Sequence, residues 1–138
     1  MEADAYADSG FLVSLYLADA GHEAATRYLV AEEKTLALTP LHRVEVRNAL
    51  RNARAAGRIT LPELRRALRQ IDDDLKRGLL VPVAADWGGM CRRADELGDR
   101  HGTREEVPMD DLLHVALAIE CGAKPRNTPF KTQAGERV

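Results

Sequence analysis

The sequence predicts an α/β fold built on a parallel sheet with helices against both faces. Three observations carry that prediction. Short apolar segments at residues 5–7, 35–38 and 79–84 alternate with stretches of helical periodicity, the order that parallel strands joined by crossover helices require. The joints carry helix-starting chemistry, most clearly Thr39-Pro40 and Thr60-Leu61-Pro62-Glu63. The third apolar segment, Leu79 to Ala84, is a compact run with two valines, the composition of a buried strand.

Each element follows in order. Ala5 to Ala7 suits a brief strand that ends at Asp8, after which Phe11, Leu12, Leu15 and Tyr16 fall at helical spacing up to Gly21. His22 to Glu32 repeats the pattern through Ala25, Tyr28 and Leu29. Thr35 to Leu38 reads as a second strand, and Thr39 with Pro40 opens a helix directed toward Gly57. The Thr60 capping box opens another, with Leu64, Leu68, Ile71 and Leu75 on one face and an end near Gly78. After the third strand, Asp86 caps a helix through Trp87, Cys91, Ala94 and Leu97. Asp110 or Asp111 begins the most apolar helix, Leu112 to Cys121, closed by Gly122. Residues 124–138 depart from the pattern, because Pro125 and Pro129 give no ladder donor, and a loop or edge segment is expected there.

A length of 138 residues suits one domain spanning 1–138, and the 45% hydrophobic and 30% charged fractions describe a soluble globular chain. The net charge of −2 gives no whole-molecule attraction to nucleic acid, so any RNA contact must rest on a local basic patch. Cys91 and Cys121 are far apart and lack a partner motif, which argues against a disulfide framework and a zinc knuckle. The acidic start has no signal-peptide order and no apolar run reaches membrane-spanning length, so a cytoplasmic protein with no membrane role is expected.

Three carboxylates stand beside strongly apolar sequence: Asp8 in Tyr6-Ala7-Asp8-Ser9, Glu45 in Val44-Glu45-Val46-Arg47-Asn48-Ala49-Leu50, and Asp111 in Asp111-Leu112-Leu113-His114-Val115-Ala116. Ionised groups are costly in such surroundings unless something compensates them, and a metal ion does so. Asp8 lies where a strand gives way to a helix, and Asp111 in the first turn of the most buried helix, so both can reach the carboxyl edge of the sheet. At about 100° per residue, Glu45 shares its side of the helix with Leu41, Asn48, Ala49 and Asn52, which is read as the inward side. Each acid taken singly has a plainer explanation: capping for Asp8 and Asp111, and for Glu45 a salt bridge to an arginine of a neighbouring helix. Three together in one small α/β chain favour a shared site.

Hard oxygen donors suit Mg²⁺ or Mn²⁺ rather than Zn²⁺. Magnesium held by two or three carboxylates keeps waters that can attack a scissile phosphate, so phosphodiester hydrolysis is the natural chemistry. On the far side of the Glu45 helix Arg43, Arg47, Arg51, Arg54 and Arg58 form a stripe that could contact RNA phosphates or an acidic partner, or simply be a solvated face. His114 could share a face with Asp111 but reads as a satisfied core histidine without a catalytic role, and His22, His42 and His101 lack metal-ligand spacing. Phe11, Tyr16 and Trp87 read as core.

In these three acidic frames the sequence resembles the PIN-domain ribonucleases, and among them the VapC-type toxins of toxin–antitoxin pairs; the resemblance covers about residues 5 to 123. It implies a three-layer α/β/α sandwich and a Mg²⁺- or Mn²⁺-dependent endoribonuclease. It also implies a homodimer and a cognate antitoxin protein that inserts near the acids. By the same resemblance Asp8, Glu45 and Asp111 are metal ligands and Ser9 is the small hydroxyl residue that supports them. Asn48, Asp110 and Thr128 are further supporting candidates, with Arg43, Arg47 and Arg51 as RNA or partner contacts.

One stretch departs from the family pattern. Where the resemblance leads one to expect a Thr-x-Asp motif with a fourth acid, Thr128 is followed by Pro129 and Phe130, which cannot ligate magnesium. Three anions can still hold one ion with water completing the octahedron, while a second ion would be weakened. Asp110 is adjacent to Asp111 and points elsewhere on the helix, so it is a poor replacement. A catalytically weakened module that binds antitoxin or RNA is therefore the alternative to the enzyme, and an arginine-rich interaction scaffold is a third.

Overall fold

A computed structural model of the chain describes residues 3–17 and 22–122. The expectations for residues 124–138, including Thr128 and Phe130, lie outside the described residues. The element order is α1 (Ser9–Tyr16), α2 (His22–Glu32), β1 (Leu36–Leu38), α3 (Pro40–Ala55), α4 (Leu61–Lys76), β2 (Leu80–Pro82), α5 (Trp87–His101) and α6 (Met109–Glu120).

β1 and β2 pair in parallel with Leu36 opposite Leu80 and Ala37 opposite Val81. A third segment joins on the other edge of β1, where Ala5 forms a parallel bridge with Leu36. There the Ala5 amide donates to the Thr35 carbonyl at 3.1 Å and the Ala37 amide to the Ala5 carbonyl at 2.9 Å. β1 is thus flanked on both sides by parallel neighbours.

Side chains alternate across a strand, and the alternation divides the core in two. Ala5, Leu36, Leu38 and Leu80 pack with Leu12 of α1, Val46 and Leu50 of α3, and Leu64, Ala67 and Ile71 of α4. Tyr6, Ala37 and Val81 pack the other way, against Met90 and Leu97 of α5 and Val115 to Ala118 of α6. The result is a three-layer α/β/α arrangement, with α2 laid against α1 through an edge-on Phe11–Tyr28 contact.

The helix starts follow local chemistry. The Thr39 and Thr60 hydroxyls accept the amides of His42 and Glu63, and in both cases the third helical residue bonds back to close a capping box. His42 stands where such a box usually has Glu or Gln.

Several boundaries differ from expectation. The first strand is reduced to the Ala5 bridge, and α1 passes into its C-cap at Leu17, short of Gly21. β2 covers three residues, with burial falling from Leu80 to an exposed Pro82 rather than forming a fully buried run. α6 begins at Met109 with Pro108 at the cap, so neither Asp110 nor Asp111 caps it. Trp87, expected in the core, is 47% exposed at the start of α5. Among the described residues no helix is long and apolar enough to cross a membrane.

Candidate active site

Asp8 sits where the Ala5–Ala7 segment turns into α1. One of its oxygens, Oδ1, accepts the Phe11 amide at 2.8 Å, which caps the helix. Burial raises the Asp8 carboxyl above the ordinary aspartate range; the Phe11 amide and His114 oppose the rise, while the negative charges of Glu45 and Asp110 add to it. Asp111, in the first turn of α6, is raised too, by partial burial first and then by the charges of Asp110 and Asp8. Acids from α1, α3 and α6 therefore share one neighbourhood and repel one another.

Glu45 approaches from α3, whose buried residues are His42, Val46, Leu50 and Ala53. At about 100° per residue, Glu45 lies on the flank of that face rather than at its centre. Asn48, one turn further, is exposed. The inward side expected for Glu45 and Asn48 is thus rotated toward Val46. Among the described residues no arginine pairs with Glu45. Its Oε1 lies 2.7 Å from Nε2 of His114.

His114 is 3% exposed on α6 and ties three elements together. Its Nδ1 lies 2.7 Å from the Tyr6 hydroxyl, and Nε2 lies 3.2 Å from the Ser9 hydroxyl as well as close to Glu45. A carboxylate can only accept, so the proton belongs on Nε2, which donates to Glu45, and Tyr6 donates to Nδ1. Burial pushes the Tyr6 phenol far above its usual range, so it keeps the proton it donates.

His42 makes a second link. Its Nδ1 accepts the Thr39 amide at 3.1 Å, leaving Nε2–H to donate to the Ala7 carbonyl at 2.6 Å. That bond anchors the residue before Asp8 to the first turn of α3. Burial, helped by His114, drives the His42 pKa from 6.5 down to about 3 against the pull of the Ala7 carbonyl, so His42 is neutral. The two imidazole rings lie 5.0 Å apart with the Tyr6 ring 4.5 Å from His42.

The donor chemistry fits a hard divalent cation. Asp8, Glu45, Asp110 and Asp111 offer oxygen only, and among the described residues none of them pairs with a lysine or arginine. As placed, the acids form a neighbourhood and not a finished shell: among the described residues no three metal-ligating side chains converge on one point. Asp110 is exposed beside the half-buried Asp111. Arg43 and Arg51 are exposed and Arg47 half-buried on the other flank of α3. None of the three makes an ion pair within the described residues.

The sequence assigns Tyr6, His42 and His114 no part in the site, although it does mark His114 as a satisfied core histidine, which the structure bears out. The available signal was that a buried tyrosine hydroxyl and a histidine in an apolar helix must each find a polar partner; which partner is a tertiary matter. A family model described as the PIN domain matches residues 5–124. No curated protein matches the sequence.

Proposed function

Because the chain belongs to the PIN-domain family, a family of nucleases, we propose that it is a Mg²⁺- or Mn²⁺-dependent endoribonuclease of the VapC type. In this reading it is the toxin of a type II toxin–antitoxin pair, active in the cytoplasm as a homodimer and silenced by its cognate antitoxin. The observation that carries the enzyme is the set of acids from three elements left, among the described residues, without a lysine or arginine partner. Asp8, Glu45 and Asp111 would hold the ion. Bound there, it supplies Lewis-acid polarisation of a phosphate and a water acidified toward hydroxide.

The chain's own residues set up that chemistry. Asp8 is held by the α1 cap, and Asp111 stands in the first turn of α6. The amino end of α6 adds a positive dipole that favours anionic groups beside it. Ser9, 8% exposed, supports the site through its contact with His114. RNA cleavage that requires Mg²⁺ or Mn²⁺, stops with EDTA and is lost in Asp8→Asn and Glu45→Gln supports the assignment. Equal cleavage by those variants refutes it.

A second reading, a catalytically weakened module that binds antitoxin or RNA, is favoured by the acids' failure to converge as placed. Tight Mn²⁺ binding with brisk RNA turnover removes it. For the partner, the guanidinium groups of Arg43, Arg47 and Arg51, which make no ion pair among the described residues, are the proposed contact with RNA or an acidic antitoxin segment. Charge reversal to Glu at Arg47 and Arg51 is expected to abolish complex formation while Mn²⁺ binding persists; an intact complex counts against that contact.

A further inference from the structure

His114 lies within the third acidic frame, three residues after Asp111, yet the acid set alone gives it no part in the site. We infer that His114 is a positioning residue that holds the Glu45 carboxylate in place for the cation, with Tyr6 deciding which imidazole nitrogen carries the proton. This rests on the nuclease reading above and adds to it a residue outside the acid set.

The geometry supports the role in three ways. First, Nε2 reaches Glu45 Oε1 at 2.7 Å, a length typical of a hydrogen bond to a charged group. An imidazole N–H orients a carboxylate through one directed bond, whereas the fixed charge of an arginine in that place would compete with the metal for it. Second, His114 is itself held: it is 3% exposed, its Nδ1 lies 2.7 Å from the Tyr6 hydroxyl, and its ring packs 5.0 Å from His42. Third, it lies one turn along α6 from Asp111, so a single helix carries one acid of the site and the donor that fixes another on α3. A glutamate side chain loses several rotatable bonds of freedom when it binds an ion, and a donor that orders it beforehand removes part of that cost.

The test is calorimetric titration of Mn²⁺ into the full chain and four variants, with circular dichroism and thermal midpoints as fold controls. His114→Leu keeps the core filled and removes the donor, and affinity is expected to fall about 10- to 100-fold, as for other partners that orient metal ligands. His114→Gln, which retains an N–H donor, is expected to recover much of that loss. Tyr6→Phe, which frees the tautomer, should fall between His114→Leu and the parent. Wild-type affinity in a folded His114→Leu overturns the inference, as does a Gln variant no better than Leu. If His114→Leu does not fold, Tyr6→Phe decides, and wild-type affinity there overturns the role. Asp111→Asn separates the two levels: its loss of Mn²⁺ with His114→Leu unaffected removes only the positioning role. Undiminished Mn²⁺ binding by Asp111→Asn removes the metal-site reading itself.

Discussion

Two regions of this molecule draw acids out of solvent, and they treat them in opposite ways. Asp74 on α4 is 6% exposed and fully served by its own fold. The Tyr16 hydroxyl donates to its Oδ2 at 2.7 Å, Gln70 Nε2 donates to Oδ1 at 2.9 Å, and Arg77 lies 3.9 Å away. At the opposite extreme, Asp8 has one backbone donor, Glu45 one imidazole, and Asp110 and Asp111 no hydrogen bond or ion pair among the described residues. A buried acid with satisfied oxygens explains itself as structure. Asp8 and Asp111, whose carboxyls are raised by burial first and by neighbouring negative charge second, are held at a cost to stability, and function is the usual reason such a cost is kept.

Exchanging the carboxylates tests that contrast most strongly. Asp8→Asn or Asp111→Asn is expected to lower metal-dependent RNA cleavage by more than about 100-fold, the upper end for a residue that merely orients a ligand. The thermal midpoint without metal should hold or rise, because a repelling charge is gone. A steep loss of stability in both variants would place these acids in the same structural class as Asp74.

Asp74→Ala is the converse. It strands the Tyr16 hydroxyl and the Gln70 amide, and about 1–3 kcal/mol of stability should be lost. Urea unfolding measures the loss, and cleavage per folded molecule should stay at the parent level. A fall in turnover without a fall in stability would blur the distinction between the two regions.

Acid pH offers a gentler probe of the link between them and the sheet. The folded pKa of His42 is lowered to about 3 from 6.5, so across that window the unfolded chain binds a proton that the folded chain excludes. Stability from this group is therefore complete above 6.5 and is lost as the pH falls toward 3. The slope approaches about 1.4 kcal/mol per pH unit at most. Urea midpoints through that range should fall less steeply in His42→Gln; equal slopes would show that the His42 imidazole is not the group that titrates there.

The smallest effect belongs to a site remote from both regions. Thr60→Ala removes the α4 capping box and should cost about 1 kcal/mol by thermal melting, with cleavage unaffected. Coupling of this substitution to metal affinity would indicate that α4 transmits to the acid edge.

Much of this organisation is visible in the primary structure because its causes are local. The Thr39-Pro40 and Thr60-Leu61-Pro62-Glu63 starts, the faces of α3 and α4, and the alternation of Leu36, Ala37 and Leu38 follow from backbone geometry within a few residues. The positions of Asp8, Glu45 and Asp111 beside apolar sequence marked them as unusual for the same reason. The orientation of Glu45 was less legible: charges on one side of α3 suggested an inward face opposite them, but Val46 and Leu50 centre the buried stripe between Glu45 and the arginines. Trp87 was likewise misplaced, since apolar character alone does not decide which member of a helix is covered.

The sequence by itself determined an α/β chain with its helix starts, its two-sided strands and three acids that its apolar surroundings do not explain. Only the tertiary structure decided that Tyr6, His42 and His114 pack against one another, and that Glu45 bonds to a histidine 69 positions away. Local propensities act over a few residues, whereas a hydrogen-bond partner is chosen by which faces of the sheet and helices meet when the core closes. That choice depends on the whole packing, and no single segment encodes it.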